Sequence, residues 1–200
     1  MNAALVAAVV APGLALGSFL NVVASRLPAG RSVLHPRSAC VSCDAPVAWR
    51  DNIPLLSWAL LRGRCRHCRA QISLLYPAVE LATALLVVAC VLAFGFTLRA
   101  AAACVFSAAL VVVTATDLTH RIVPNKVVLP GAAVVLALMT LAEPSPEWLI
   151  AALVPAIVLF ARHGSKARKM AIPFAPFLAL GSLVALFAGE ALLEAYLAAF

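Results

Sequence analysis

The run AALVAAVVAPGLALGSFLNVVA, Ala3 to Ala24, passes 22 positions without a charged residue. A hydrocarbon core needs about 20 helical residues to cross it, so this stretch reads as a membrane span. Comparable runs follow at Leu81–Leu98, Ala100–Thr116, Val127–Ala142, Trp148–Ala161 and Met170–Gly189. They account for a mean hydropathy of +1.05 with only 12% charged residues. In lipid each segment must satisfy its own backbone groups, which selects helices. The expected fold is therefore an all-α multipass membrane protein with about six transmembrane helices. A cleavable signal peptide is the rival reading of the first run. Such a peptide has a basic stretch before its apolar core, whereas here the first positive charges, Arg26 and Arg31, come after it.

Charge fixes the expected orientation. Of the 15 Lys and Arg, eight lie between Arg26 and Arg69, Arg121 and Lys126 follow the third run, and four lie between Arg162 and Lys169. An alternating chain places all of these on one side and Arg99 on the other. By the positive-inside rule that side is cytoplasmic. The net charge of +7 is then a topology signal with some attraction to the anionic lipid bilayer; no nucleic-acid partner is expected. The fifth run is the weak one: 14 residues rise about 21 Å against a core of about 30 Å, and Pro155 interrupts them. On length it could be re-entrant, but crossing keeps Arg162–Lys169 on the basic side. The chain divides into a first span over 1–26, a polar excursion over 27–75 and a membrane part over 76–200.

The excursion holds Cys40-x-x-Cys43 and Cys65-x-x-Cys68. Two such pairs offer four thiolates, the donor set of a structural tetrahedral zinc. A segment this short has too little core to hold itself, so a metal staple makes physical sense. A small cytoplasmic zinc-ribbon-like insertion is expected, with a short hairpin between the pairs and turns at Pro46, Asp51–Asn52 and Gly63. Two disulfides are the alternative, and they need an oxidising compartment. His35 and His67 read as surface residues beside a filled site, and Cys90 and Cys104 as small buried side chains within spans.

Asp117 ends an apolar run at the basic side, where a buried carboxylate often marks function; the bland reading is a solvated helix-end acid paired with Arg121 or Lys126. Glu80 is either a helix-start acid or an interhelical contact. Asn21 and Ser18 read as interhelical hydrogen-bonding groups, with Gly17 allowing close approach.

Together LGSFLNVVASRLP (16–28), the cysteine pairs around DNIPLLSWALLRGRCRHC (51–68), QISLLYPAVELATALL (71–86) and DLTHRIVPNKVVLPG (117–131) resemble the type IV prepilin leader peptidase/N-methyltransferase family. IPFAPFLALGSLVALFAG (172–189) resembles its last span. The resemblance implies an inner-membrane aspartic endopeptidase that removes the leader of prepilin or pseudopilin precursors. Many members also methylate the new amino terminus from S-adenosylmethionine, and the zinc-bearing domain goes with that bifunctional form. Asp117 matches the first catalytic aspartate, followed by Pro124 and Asn125. The family's second catalytic aspartate lies in a G-x-G-D motif that is absent from this sequence; the short run at Trp148–Ala161 is read as the junction of that loss. The alternative function is therefore a proteolytically inactive relative, acting as a methyltransferase alone or as a prepilin-binding assembly component.

Overall fold

The computed structural model describes residues 3–144 and 175–198. Its elements are α1 (Ala3–Arg26), a 3₁₀ turn (Trp49–Asn52), α2 (Leu56–Leu60), α3 (Leu75–Phe94), α4 (Leu98–His120), α5 (Asn125–Ala142) and α6 (Ala175–Ala198). Among the described residues, four helices are long and apolar enough to cross a membrane: Ala7–Arg26, Leu75–Phe94, Leu98–His120 and Asn125–Ala142. They coincide with four of the expected runs. The run at Trp148–Ala161 and the basic cluster after it lie outside the described residues. The last run continues as α6, apolar over Leu178–Gly189.

The turns between helices are built by local chemistry. Gly95, at φ +66°, ends α3 while its N–H donates to the Val91 carbonyl at 2.9 Å. Two residues on, the Thr97 hydroxyl accepts the Ala100 N–H at 3.3 Å and caps α4, as an N-cap threonine does. At the far end of α4, Arg121 adopts the left-handed conformation at φ 53° and donates its N–H to the Asp117 carbonyl at 2.9 Å. Pro124 then caps α5 with its carbonyl. The connections make α3, α4 and α5 antiparallel. Arg99 at the start of α4 pairs with Glu143 just past α5, at the end of the helices opposite Arg26 and Arg121.

α1 and α3 pack backbone to backbone. A Cβ on Gly17 would lie 2.6 Å from the Glu80 Cα, and one on Gly13 would lie 2.9 Å from the Ala84 Cα. Gly17 thus allows the close approach expected of it, and Gly13 extends the contact one turn outward into a small-x-x-x-small stripe. Next along the same face Asn21 donates its side-chain amide to the Tyr76 carbonyl at 2.9 Å, an interhelical bond of the kind anticipated. The core lies toward the basic end, where Leu20, Val23 and Ala24 of α1 meet Val79 of α3 and Val112 and Ala115 of α4. None of the α5 residues is buried.

Gly17→Ala forces a methyl against backbone that cannot yield cheaply and is expected to destabilise the protein by about 1–3 kcal/mol. Gly131→Ala is the control: its Cβ would meet only the Ala109 Cβ at 3.5 Å, and alanine favours helix over glycine by about 1 kcal/mol. Thermal unfolding in detergent should lower the midpoint for the first and leave or raise it for the second.

Candidate functional site

Between α1 and α3 the chain makes the same turn twice. At the first, the Cys40 N–H donates to the Ala45 carbonyl at 3.0 Å, and the Asp44 N–H donates to the Cys40 carbonyl at 2.9 Å. At the second, Cys65 N–H and the Ala70 carbonyl pair at 2.8 Å, and the Arg69 N–H donates to the Cys65 carbonyl at 3.1 Å. Single antiparallel bridges, Ala39 with Pro46 and Arg64 with Gln71, close both. Asp44 (φ 53°) and Arg69 (φ 60°) take the left-handed conformation that folds each turn back. The repeat is legible as Cys-x-x-Cys-x-Ala in both places.

These turns bring four sulfurs together: the ligand atoms of Cys40, Cys43, Cys65 and Cys68 lie within 4.8 Å of one another, with Cys40 and Cys68 Sγ 3.8 Å apart. A tetrahedron with Zn–S bonds of about 2.3 Å has edges of about 3.8 Å, whereas a disulfide requires about 2.05 Å. All four are free thiols, and the set fits a metal ion. Backbone N–H groups of Ser42 and Cys43 hold the Cys40 thiol down to about 6. Those of Cys68 and His67 lower Cys65 likewise. Cys43 goes the other way, to about 12: the Ala45 N–H acts to lower it, but the hydrogen bond with Cys68 and desolvation prevail. Backbone N–H groups thus favour the thiolate at the first cysteine of each turn, the form that ligates a metal.

The segment between the turns is helical rather than the expected hairpin, a 3₁₀ turn followed by α2. Ser57 is the reason: buried, it accepts the Ile53 N–H and donates to the Arg50 carbonyl, both at 2.9 Å, which satisfies the chain where a ladder would otherwise run. Trp58 covers Gly63 so closely that a Cβ there would lie 2.9 Å from the indole. Asp51 grips Arg66 of the second turn through two hydrogen bonds, 2.6 and 2.8 Å, and the guanidinium holds the Asp51 carboxyl below its usual range.

Glu80 fastens this assembly to the helices. It is buried on α3, and its Oε2 accepts the Leu55 N–H at 2.8 Å. Leu55 has a φ of 60°, a conformation that costs a branched residue energy, so the carboxylate holds a strained corner against α3. Glu80 does stand in an interhelical contact, its backbone against Gly17 of α1, but its carboxylate goes to a loop backbone that neither expected role anticipates. The signal missed in the sequence is positional: Glu80 follows the second cysteine pair by 12 residues.

Asp117 lies in the last turn of α4, buried at 4% exposure, next to Thr116, which has none. The bland reading, a solvated acid, does not hold. Negative charge is disfavoured at a helix C-terminus, and burying a carboxylate carries a cost that its surroundings must offset. Pro124 is buried, and Asn125 begins α5 beside it. His35 and His67 are exposed, as expected. Cys90 is fully buried, 3.8 Å from the Ser107 Oγ, and Cys104 is half-buried.

A cleft of about 790 Å³ opens between α1 and the four-cysteine segment, and Ser18, Asn21, Ser25 and Arg26 of α1 line it, as does Glu80.

Residues 12–94, from within α1 to the end of α3, match the family described as the Bacterial Peptidase A24 N-terminal domain. A prepilin leader peptidase/N-methyltransferase of Myxococcus xanthus (strain DK1622) is 48% identical over 126 residues, 63% of this chain and 38% of the relative. A protein of the same name from Bacillus subtilis (strain 168) is 38% identical over 58% of this chain and 47% of its own length. A type 4 prepilin-like proteins leader peptide-processing enzyme of Escherichia coli O78:H11 (strain H10407 / ETEC) is 40% identical over 56% and 49%. The chain thus spans less than half the length of each of these relatives. No solved structure matches it.

Proposed function

We propose, on the premise that this chain belongs to the prepilin leader peptidase/N-methyltransferase family, that it processes prepilin-like precursors at the basic end of its helices. The observation that carries this reading is the common placement of two costly features. The four-cysteine segment is fastened through Glu80 to the end of α3 that leads away from Arg99 and Glu143. Asp117, buried in the last turn of α4, belongs to that same end.

In this reading the basic end is cytoplasmic, the membrane is the bacterial inner membrane, and the chain crosses it six times. The cysteines hold one zinc that is structural, since four protein ligands leave no open position. Asp117 is one of the two carboxyls that an aspartic peptidase arranges around a water. S-adenosylmethionine is the donor when the new amino terminus is methylated.

A second reading rests on the acids. No G-x-G-D occurs in the sequence, while Asp51, Glu80 and Glu143 are bound to Arg66, the Leu55 N–H and Arg99. On that account the chain methylates or binds precursors and leaves cleavage to a second carboxyl that it does not carry.

One experiment separates them. A prepilin is expressed in cells with and without this chain, and its amino terminus is read by mass spectrometry. Leader loss that depends on the chain supports the first reading. Methylation of an already trimmed pilin, with no chain-dependent trimming, supports the second. An amino terminus that the chain never alters overturns both.

A further inference from the structure

The four-cysteine segment dips to the level of the spans at one corner, Ile53–Ser57, where the Leu55 N–H meets Glu80 at 2.8 Å. Glu80 stands five residues into α3, about 7.5 Å below its first residue. The 20 residues of α3 extend about 30 Å, the thickness of a hydrocarbon core. α1 gives a similar answer. Gly17, where a Cβ would press on the Glu80 backbone, lies nine residues short of Arg26, about 13 Å down the helix. Helical side chains lean toward the N-terminus, which for α3 is the basic end, so the Glu80 carboxylate rises from that depth toward the headgroups. Leu55 is thereby held near the boundary between headgroups and acyl chains.

The backbone of the corner suits that level, because from Ile53 to Ser57 every N–H has a partner within the protein. Ile53 donates to Ser57 Oγ at 2.9 Å, Leu55 to Glu80, Leu56 to the Pro54 carbonyl at 2.6 Å and Ser57 to the Ile53 carbonyl at 3.0 Å. Pro54 has no N–H to place. Backbone that leaves water must be satisfied in this way. Leu56 and Leu60 lie four apart on one face of α2 and are 52% and 74% exposed. Trp49 is 83% exposed, and its neighbour Arg50 accepts the Ser57 hydroxyl with its carbonyl. Exposure alone names no partner, since Leu34 and Val41 are exposed too; the depth of the corner does. Arg50, Arg62 and Arg64 flank these apolar residues and are exposed. The only acid in residues 49–64, Asp51, is bound to Arg66.

We propose that this corner and α2 are seated in the surface of an anionic bilayer, with Trp49, Leu56 and Leu60 at the boundary of headgroups and acyl chains and Arg50, Arg62 and Arg64 on lipid phosphates. Indole rings favour that boundary, and the apolar faces of interfacial helices sink about 5–10 Å into it. A helix of five residues could not hold such a position alone. Here α1 and α3 tether the segment at both ends, so the contact forms at high effective concentration and a small apolar area suffices. The four-cysteine segment is then a surface-bound element rather than a free polar excursion, and Glu80 is the positioning residue that sets its depth.

The test uses the full zinc-loaded chain in vesicles of phosphatidylcholine and phosphatidylglycerol, with and without phosphatidylcholine brominated high on its acyl chains. The tryptophans are Trp49, Trp58 and Trp148, and the emission of Trp49 is the difference between the parent and Trp49→Phe, a conservative change at an exposed position. Bromolipid is expected to remove at least about half of that emission, as befits an indole at interfacial depth, while acrylamide in the water quenches it little. Without phosphatidylglycerol, or with Arg50, Arg62 and Arg64 all changed to Gln, the bromolipid effect should fall at least about twofold. Equal metal content shows that the segment is intact in each variant.

Trp49 open to acrylamide and untouched by bromolipid overturns the proposal, because the segment then stands in water. Trp49 shielded from both quenchers overturns it as well and puts a protein surface against the indole. Bromolipid quenching that ignores both the anionic lipid and the arginines overturns the phosphate contacts. No leader or methyl donor enters the measurement, so its outcome leaves the reading of prepilin processing where it stands.

Discussion

Replacing any one of Cys40, Cys43, Cys65 or Cys68 by serine is expected to empty the metal site and unfold the segment between α1 and α3, leaving the long helices in place. Elemental analysis should find one zinc per parent chain and close to none in the variants. Limited trypsin digestion should then cut at Arg62, Arg64, Arg66 and Arg69 faster than in the parent, where these exposed residues lie on folded backbone. The expected effect is large because little else holds the segment. Its two bridges are isolated, its helices span four and five residues, and Trp49, Ile53, Leu56 and Leu60 are exposed. Structural zinc contributes about 10–16 kcal/mol of apparent binding energy in small modules, far more than so small a core supplies. Loss of the segment also frees Leu55 from Glu80. Parent protein that contains no metal and has oxidised cysteines would refute the site, and with it the reducing location of the basic end.

The parts of this architecture that the sequence discloses are those set by composition and short spacing. An uncharged run must be a helix in lipid, and so Ala100–Thr116 appears as the interior of α4. Four thiols in two tight pairs have few arrangements that bring them together. What stays hidden is set by partners distant in sequence. Glu80 looks like an ordinary interfacial acid until Leu55, 25 residues earlier, turns its N–H toward it. The left-handed Asp44 and Arg69 carry no glycine to announce them, because the cysteine turn itself imposes the conformation. Gly13 is inconspicuous among alanines and leucines until α3 arrives at its surface. The helical pieces Trp49–Asn52 and Leu56–Leu60 are obscured by the Asp51–Asn52 pair, which suggests a reversal, whereas the Ser57 hydroxyl ties the two pieces together through the Ile53 N–H and the Arg50 carbonyl.

Asp117→Asn is expected to reduce leader cleavage at least about 10³-fold, since a carboxyl that activates the water cannot be replaced by an amide. The same change should leave the folded protein intact, because Asn matches Asp in shape and keeps an accepting oxygen. A purely structural aspartate gives the opposite pattern, lost stability with activity falling only in proportion to the folded fraction. The parent rate carries separate information. In the proposed reading two carboxyls share the water and Asp117 is one of them, while Asp51, Glu80 and Glu143 are bound elsewhere. A slow parent that is rescued by a second polypeptide bearing a G-x-G-D segment would place the partner acid outside this chain. A fast parent abolished by Asp117→Asn would mean that an acid within these 200 residues swings to Asp117. Cleavage unaffected by the substitution would remove Asp117 from the chemistry, and the cost of burying it would then need another cause.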